Sequence, residues 1–138
     1  MKRRSLMISA AIVLAVASLA WAVEWKEKRV EAVAGTDGVQ RVEIIAGRFY
    51  YDPNVIVVKI NVPVELAVRR TRGLFGHNIV IDEPDAGIVF KRGLSTHPVA
   101  IKFTPTKAGK YMFICSHKIP LSKSHLDRGM YGYLEVVE

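Results

Sequence analysis

The sequence contains one cysteine, Cys115, in 138 residues. A single cysteine permits no internal disulfide, so the chain cannot be a stapled mini-domain. Aromatic residues are sparse at 9%, and no stretch carries the sustained i, i+3, i+4 apolar repeat of a long amphipathic helix. Internal repeats and low-complexity tracts are missing beyond the first two dozen residues. No side chains pair as nucleophile and base with an orienting third group, and no carboxylate dyad is evident, so an enzyme is not expected. Basic residues are scattered through apolar strand patterns and no nucleic-acid motif appears. Nucleic-acid binding is therefore not expected.

What is present begins with a leader. Lys2, Arg3 and Arg4 precede an uncharged run that ends before Glu24 and closes on Ala20-Trp21-Ala22. A basic start, an apolar run and an A-x-A site describe a secretory signal over residues 1–22. The alternative is an uncleaved membrane anchor, because Leu6 to Val23 is just long enough to span. Either way the rest of the chain is expected on the extracytoplasmic side, in a periplasm or its equivalent. Cleavage would remove three positive charges and no negative ones, taking the formal net charge from +7 to +4. That modest basic bias favours acidic partners.

Residues 23–38 are charged, then punctuated by glycine, and read as a flexible lead-in. From residue 39 to 138 one domain is expected. Val42, Ile44 and Ala46 alternate with Arg41 and Glu43, the pattern of a half-buried strand. Asp52-Pro53-Asn54 signals a turn. Val55 to Ile60 is β-branched almost throughout, and Val62 to Val68 alternates again. Pro63 lacks an amide donor and belongs at a strand start or an edge. His77 to Asp82 is a further short strand. From Glu83 to His97 the alternation fails, and Asp85 to Arg92 is assigned a helical turn or two. Val99 to Phe103 alternates. Tyr111, Phe113 and Cys115 share one face of the next strand; Met130, Leu134 and Val136 share a face of the last. About seven short strands with turn residues between them predict an antiparallel β-sandwich of Greek-key type.

The chemistry-bearing residues lie at strand ends. Cys115 ends one strand, Met130 begins the next and His77 begins a third, while His125 lies in the loop between Cys115 and Met130. Thiolate, imidazole and thioether are the soft-to-borderline donors that suit one copper ion, with the methionine as a weak axial ligand. Zinc is poorly served by a thioether. His117, two residues after Cys115, competes with His125 for the second imidazole position. On an extended strand it would point parallel to the cysteine and converge poorly on the same ion. His97, before Pro98 in a loop, is read as solvent-facing. Each donor also has an ordinary structural reading, as a buried thiol, a satisfied histidine or a core methionine.

G-K-Y-M-F-I-C, followed by H-x4-M and Y-G-Y-L-E-V, resembles the closing motif of the cupredoxins, of the plastocyanin, auracyanin and oxidase-subunit-II-like kind. F-x-Y-D-P-N-V-I-V-V-K and G-H-N-I-V-I resemble that family's earlier strands. The resemblance covers about Val39 to Val137. It implies a mononuclear type 1 copper held by His77, Cys115, His125 and Met130, cycling between Cu(I) and Cu(II) for electron transfer. A binuclear copper centre would need a second cysteine. Asn78 and Ser116, each following a ligand, are implied to orient the ligand loops, and the Gly76 carbonyl to approach the ion from the side opposite the methionine. The resemblance also implies an exit for electrons at the exposed edge of His125, amid Leu74, Phe75, Pro120, Leu121 and Leu126. Arg72, Lys118, Lys123 and Arg128 would ring that patch and steer an acidic redox partner such as a cytochrome or a terminal oxidase. The chain departs from the pattern in one respect. Nine residues separate Cys115 from His125, where many relatives have two to four, and a red or green variant site is one possible consequence. A copper chaperone, store or accessory module without electron traffic is the alternative function. Mass spectrometry of the mature protein is expected to show loss of the first 22 residues; an intact N-terminus would identify the anchor instead.

Overall fold

A computed structural model describes residues 24–138, so the leader lies outside the described residues. Among the described residues ten strands form two sheets. They are β1 (Arg29–Glu31), β2 (Gln40–Gly47), β3 (Tyr50–Asp52), β4 (Val55–Lys59), β5 (Val64–Arg70), β6 (Asn78–Glu83), β7 (Ile88–Gly93), β8 (Val99–Phe103), β9 (Gly109–Ile114) and β10 (Tyr131–Val137). The larger sheet runs β1-β4-β10-β9-β6-β7 and the smaller β3-β2-β5-β8. Val42, Ile44, Val64, Leu66, Val68 and Ile101 from the small sheet bury against Ile56, Val58, Ile79, Ile81, Phe113, Leu134 and Val136 from the large one. The period of two in the sequence thus becomes the two inner faces of a sandwich.

The sandwich is the expected class, but three features differ from expectation. The sheets are mixed rather than antiparallel: β1 with β4, β4 with β10, and β2 with β5 all pair parallel. Parallel neighbours need long connections, and these strands meet only because the chain crosses between sheets. Second, Asp85 to Arg92 is not helical beyond a single 3-10 turn at Pro84–Ala86; most of it is β7, paired with β6 along its whole length. β7 is an edge strand, exposed along one side, so Val89, Lys91 and Arg92 need no apolar pattern. Third, the lead-in contains β1 and is tied down. Asn54, buried, accepts from the Lys28 amide at 2.7 Å and donates to the Lys26 carbonyl at 2.8 Å. Trp25 stacks on Tyr131 with ring centroids 5.5 Å apart.

Strand pairing places the sequence-predicted donors at one end of the sandwich. β9 pairs with β10 antiparallel, Ile114 opposite Tyr131, and β6 flanks β9 through Val80 opposite Ile114. Cys115 therefore leaves β9 where Met130 enters β10, and its amide donates to the Met130 carbonyl at 3.1 Å. His77 stands one residue before β6. Gly132, on β10, sits where backbone and ring come closest: a Cβ there would lie 2.4 Å from Phe113 Cζ and 2.5 Å from the Asn54 carbonyl oxygen. Gly132→Ala is expected to destabilise the fold by about 1–3 kcal/mol through overpacking, seen as a lower midpoint in denaturant melts.

Candidate metal centre

Each donor reaches the site by a different local device. His77 ends the Thr71–Gly76 loop, and the Leu94 amide donates to its backbone carbonyl at 2.9 Å. Cys115 continues β9. His125 lies in a turn closed by Ser124 and Asp127: the Ser124 amide and hydroxyl donate to the Asp127 carboxylate at 3.2 and 2.6 Å, and the Asp127 amide returns a bond to the Ser124 hydroxyl at 3.1 Å. These bonds hold the Asp127 carboxyl below the usual carboxylate range. This reciprocal pairing is the logic of a capping box, and Gly129 closes the turn at φ +93. The Met130 amide donates to the His125 carbonyl at 3.0 Å, linking the turn to the start of β10.

The result is a compact donor cluster. His77 Nδ1 and His125 Nδ1 are 3.2 Å apart; Cys115 Sγ lies 3.4 Å from His125 Nδ1 and 4.0 Å from His77 Nδ1. All three residues are buried. Metal bonds of ~2.0–2.3 Å at trigonal or tetrahedral angles place donors roughly 3.3–3.8 Å apart, so the observed triangle is the size of one ligand shell. Met130 is fully buried in the core cluster that also holds Cys115. One thiolate, two imidazoles and an adjacent thioether fit one copper ion of type 1.

Surrounding residues hold this triangle. The Asn78 side chain donates to Ser116 Oγ at 2.8 Å and accepts from the Ser116 amide at 2.8 Å, joining the His77 and Cys115 segments. The Tyr51 hydroxyl donates to the Asn78 carbonyl at 2.5 Å from beneath. Burial, and then the Cys115 thiol beside it, push that hydroxyl well above the ordinary phenol range. Phe49 packs edge-on against the His125 ring at 5.0 Å. Neither Tyr51 nor Phe49 stood out in sequence as anything but strand aromatics. Ser124 and Asp127 carried a legible signal, the S-x-x-D spacing before Gly129.

The fold is that of the cupredoxins. A reduced auracyanin from Roseiflexus castenholzii superposes with a TM-score of 0.57 at 21% identity, covering 71% of this chain and 97% of its own. The metal-binding domain of the Cu(I)-exporting P-type ATPase CopA of Streptococcus pneumoniae, solved with Cu(I), superposes at 0.62 and 22% identity, covering 83% and 100%. The periplasmic domain of cytochrome oxidase subunit II of Bradyrhizobium japonicum gives 0.54 at 18% identity, covering 71% and 83%. No protein-family model matches the sequence, and no curated protein matches it. At these identities the likeness speaks for the cupredoxin scaffold alone.

Other sequence expectations fare differently. His117 is exposed and outside the donor triangle; its Nδ1 donates to the Gly76 carbonyl at 2.9 Å. That carbonyl thus already accepts one hydrogen bond, from His117. His97 is exposed, as expected. The expected exposed edge on His125 is not there: the residue is 2% exposed, covered by Phe49, Phe75 and His117. Leu74 and Leu121 project fully into solvent, and Arg72, Lys118 and Lys123 are exposed beside them in sequence. Arg128 lies over the Phe49 ring at 4.9 Å and donates to Ser122 Oγ at 2.6 Å, so it is only partly available to a partner.

Burial chiefly, and then the positive charge of His125, His117 and Arg70, lower the His77 pKa to about 4. Burial, His117 and Arg128 lower that of His125. Both rings are therefore neutral at physiological pH, the form in which imidazole ligates a metal. Below the ordinary imidazole pKa of about 6.5 the unfolded chain takes up protons that the folded chain refuses. The metal-free protein is expected to lose stability as pH falls from about 6.5 to about 4, where the loss levels off as folded His77 also protonates. The His77 contribution is up to about 3 kcal/mol. Denaturant melts across that window would show it, and a His77→Phe variant should flatten the slope.

Proposed function

We propose that the chain is an extracytoplasmic electron-transfer protein, a carrier rather than an enzyme, with His77, Cys115, His125 and Met130 as the ligands of one type 1 copper. The observation that carries this reading is the buried triangle of His77, Cys115 and His125 donor atoms, all within 4.8 Å of one another. The ion would supply a one-electron Cu(I)/Cu(II) couple. The residues supply the rest. Donors on strand ends and a boxed turn are held before any ion arrives, so little rearrangement would accompany a change of redox state. The Asn78–Ser116 bridge keeps the imidazole and thiolate segments at one separation, the usual role of groups that orient metal ligands. Neutral imidazoles and a core of Phe49, Tyr51 and Phe113 exclude water from the thiolate.

A redox partner with an acidic face, such as a cytochrome or a terminal oxidase, suits the exposed Arg72, Lys118 and Lys123 beside Leu74 and Leu121. Among the described residues no helix is long and apolar enough to cross a membrane, so membrane attachment would rest on the leader, which we propose is cleaved.

A second reading, a copper(I) chaperone, store or accessory module, draws on the depth of the site: His77, Cys115 and His125 are all buried. Loading with Cu(II) separates the two. The carrier is expected to develop an intense visible thiolate band, a type 1 paramagnetic resonance spectrum and reversible one-electron cycling. Cys115→Ser should abolish the band, and His125→Ala should lose band and ion, while His117→Ala keeps both. Copper(I) binding with no stable Cu(II) state would favour the module. Retention in His125→Ala with loss in His117→Ala would overturn the ligand assignment.

A further inference from the structure

The second imidazole of the centre is sealed from solvent, so a carrier built on it needs another way out for its electrons. His77 is 5% exposed and His125 2%. Two partly or fully exposed rings touch His125: Phe75, at 6.2 Å between centroids, and His117, at 5.9 Å. Phe49 also touches it but is buried.

His117 is joined to the centre in more ways than either aromatic ring. Its carbonyl accepts from the His125 amide at 3.0 Å. Its Nδ1 donates to the carbonyl of Gly76, the residue preceding His77, at 2.9 Å. Along the chain it stands two residues from Cys115, with Ser116 between them held on Asn78. The exposed His117 ring is thus one hydrogen bond from the peptide that precedes His77 and in ring contact with His125, while its backbone accepts from the His125 amide and stands two residues from Cys115. The glycine is part of the device: a Cβ on Gly76 would lie 3.2 Å from His117 Cε1 and crowd the ring.

From this connectivity we propose that the exposed His117 imidazole, rather than an edge of His125, is the port through which electrons pass between the buried centre and a docked partner. Tunnelling falls off exponentially with distance and is favoured along bonded and hydrogen-bonded routes, and His117 is an exposed ring that combines contact with His125 and a hydrogen bond to the residue before His77. Its Nδ1 is used internally, and the exposed part of its ring faces outward. Lys118 adjoins it in sequence and Arg72 and Lys123 are exposed on the flanking loops, so an anionic acceptor is drawn to the same face.

The inference rests on the copper-carrier reading, and the test tells the two apart. The probe is hexacyanoferrate(III): it takes one electron from the reduced, copper(I)-loaded protein, giving copper(II) and hexacyanoferrate(II), with no bond or proton changing place. If the unaltered protein shows no thiolate band, the carrier reading fails before the port is tested. With the band present, His117→Ala is expected to leave spectrum and potential in place and to slow oxidation several-fold. Phe75→Leu, which removes the ring of the rival route, is expected to change the rate little. In the copper-free protein, His117→Ala is expected to hasten alkylation of Cys115 by iodoacetamide, because the ring stands between pocket and solvent. An oxidation rate that is unchanged or faster in His117→Ala, a greater slowing in Phe75→Leu, or unchanged alkylation would each overturn the port.

Discussion

Two hydrogen bonds between the Asn78 side chain and Ser116 join the segment carrying His77 to the segment carrying Cys115. The geometry of the centre depends on them. Without this tie, the loop 71–76 and the fifteen-residue loop 116–130 would be referred to each other only by the pairing of β6 with β9 and by the bond from His117 to the Gly76 carbonyl. Tyr51 anchors the tie to the core by donating to the Asn78 carbonyl, and its ring packs edge-on to Phe113, 5.2 Å away on β9, the strand that Cys115 follows. The distance between imidazole and thiol is thereby referred to packed β-structure. A site organised in this way can be ready for its ion before the ion arrives.

Readiness has a thermodynamic side. Burial lowers the pKa of both imidazoles, so they stay neutral at working pH, and the same desolvation strengthens whatever electrostatic interaction an ion makes there. The cost appears as lowered stability of the metal-free fold in acid. It is tolerable because the polar atoms are not left without partners: no buried side-chain nitrogen or oxygen among the described residues lacks a hydrogen bond. Stability and metal affinity are therefore linked through the same two rings.

The fold was legible wherever one face of a strand is buried and the other wet. β2, β5 and β8 alternate because each has that asymmetry. β4 read as a strand by composition, its Val55–Val58 run buried on both sides between β1 and β10. Legibility failed where burial is decided by distant partners. β1 looks like solvated chain because it is three residues long and held by pairing with β4, by Val30 on the core and by Arg29 on the distant Glu135, and β7 looks irregular because it is an edge. Parallel pairing was also out of reach, since local periodicity is blind to strand direction. Of the centre, the donor atoms of His77, Cys115 and His125 lie within 4.8 Å of one another, a meeting that the strand pattern allowed, and Met130 is buried in the core cluster that also holds Cys115. What the sequence could not convey is that the long loop turns back over His125. That depends on the Ser124–Asp127 box, on Gly129 and on the absence of a side chain at Gly76, features that acquire meaning only when the two loops face each other.

The nine residues between Cys115 and His125 therefore do more than lengthen a connection. In a short loop the second histidine must lie near the rim, because too few residues remain to cover it. Here the chain first places His117 outward, holds its carbonyl against the His125 amide, makes the projecting corner at Leu121 with φ 58, and only then enters the turn that points His125 inward. The exposed imidazole and the buried imidazole belong to one hydrogen-bonded loop, so neither can move without the other. Deepening the centre and building a substitute contact with solvent are the same structural act. An insertion that only buried His125 would leave a donor set well protected and poorly connected; this one carries its own connection.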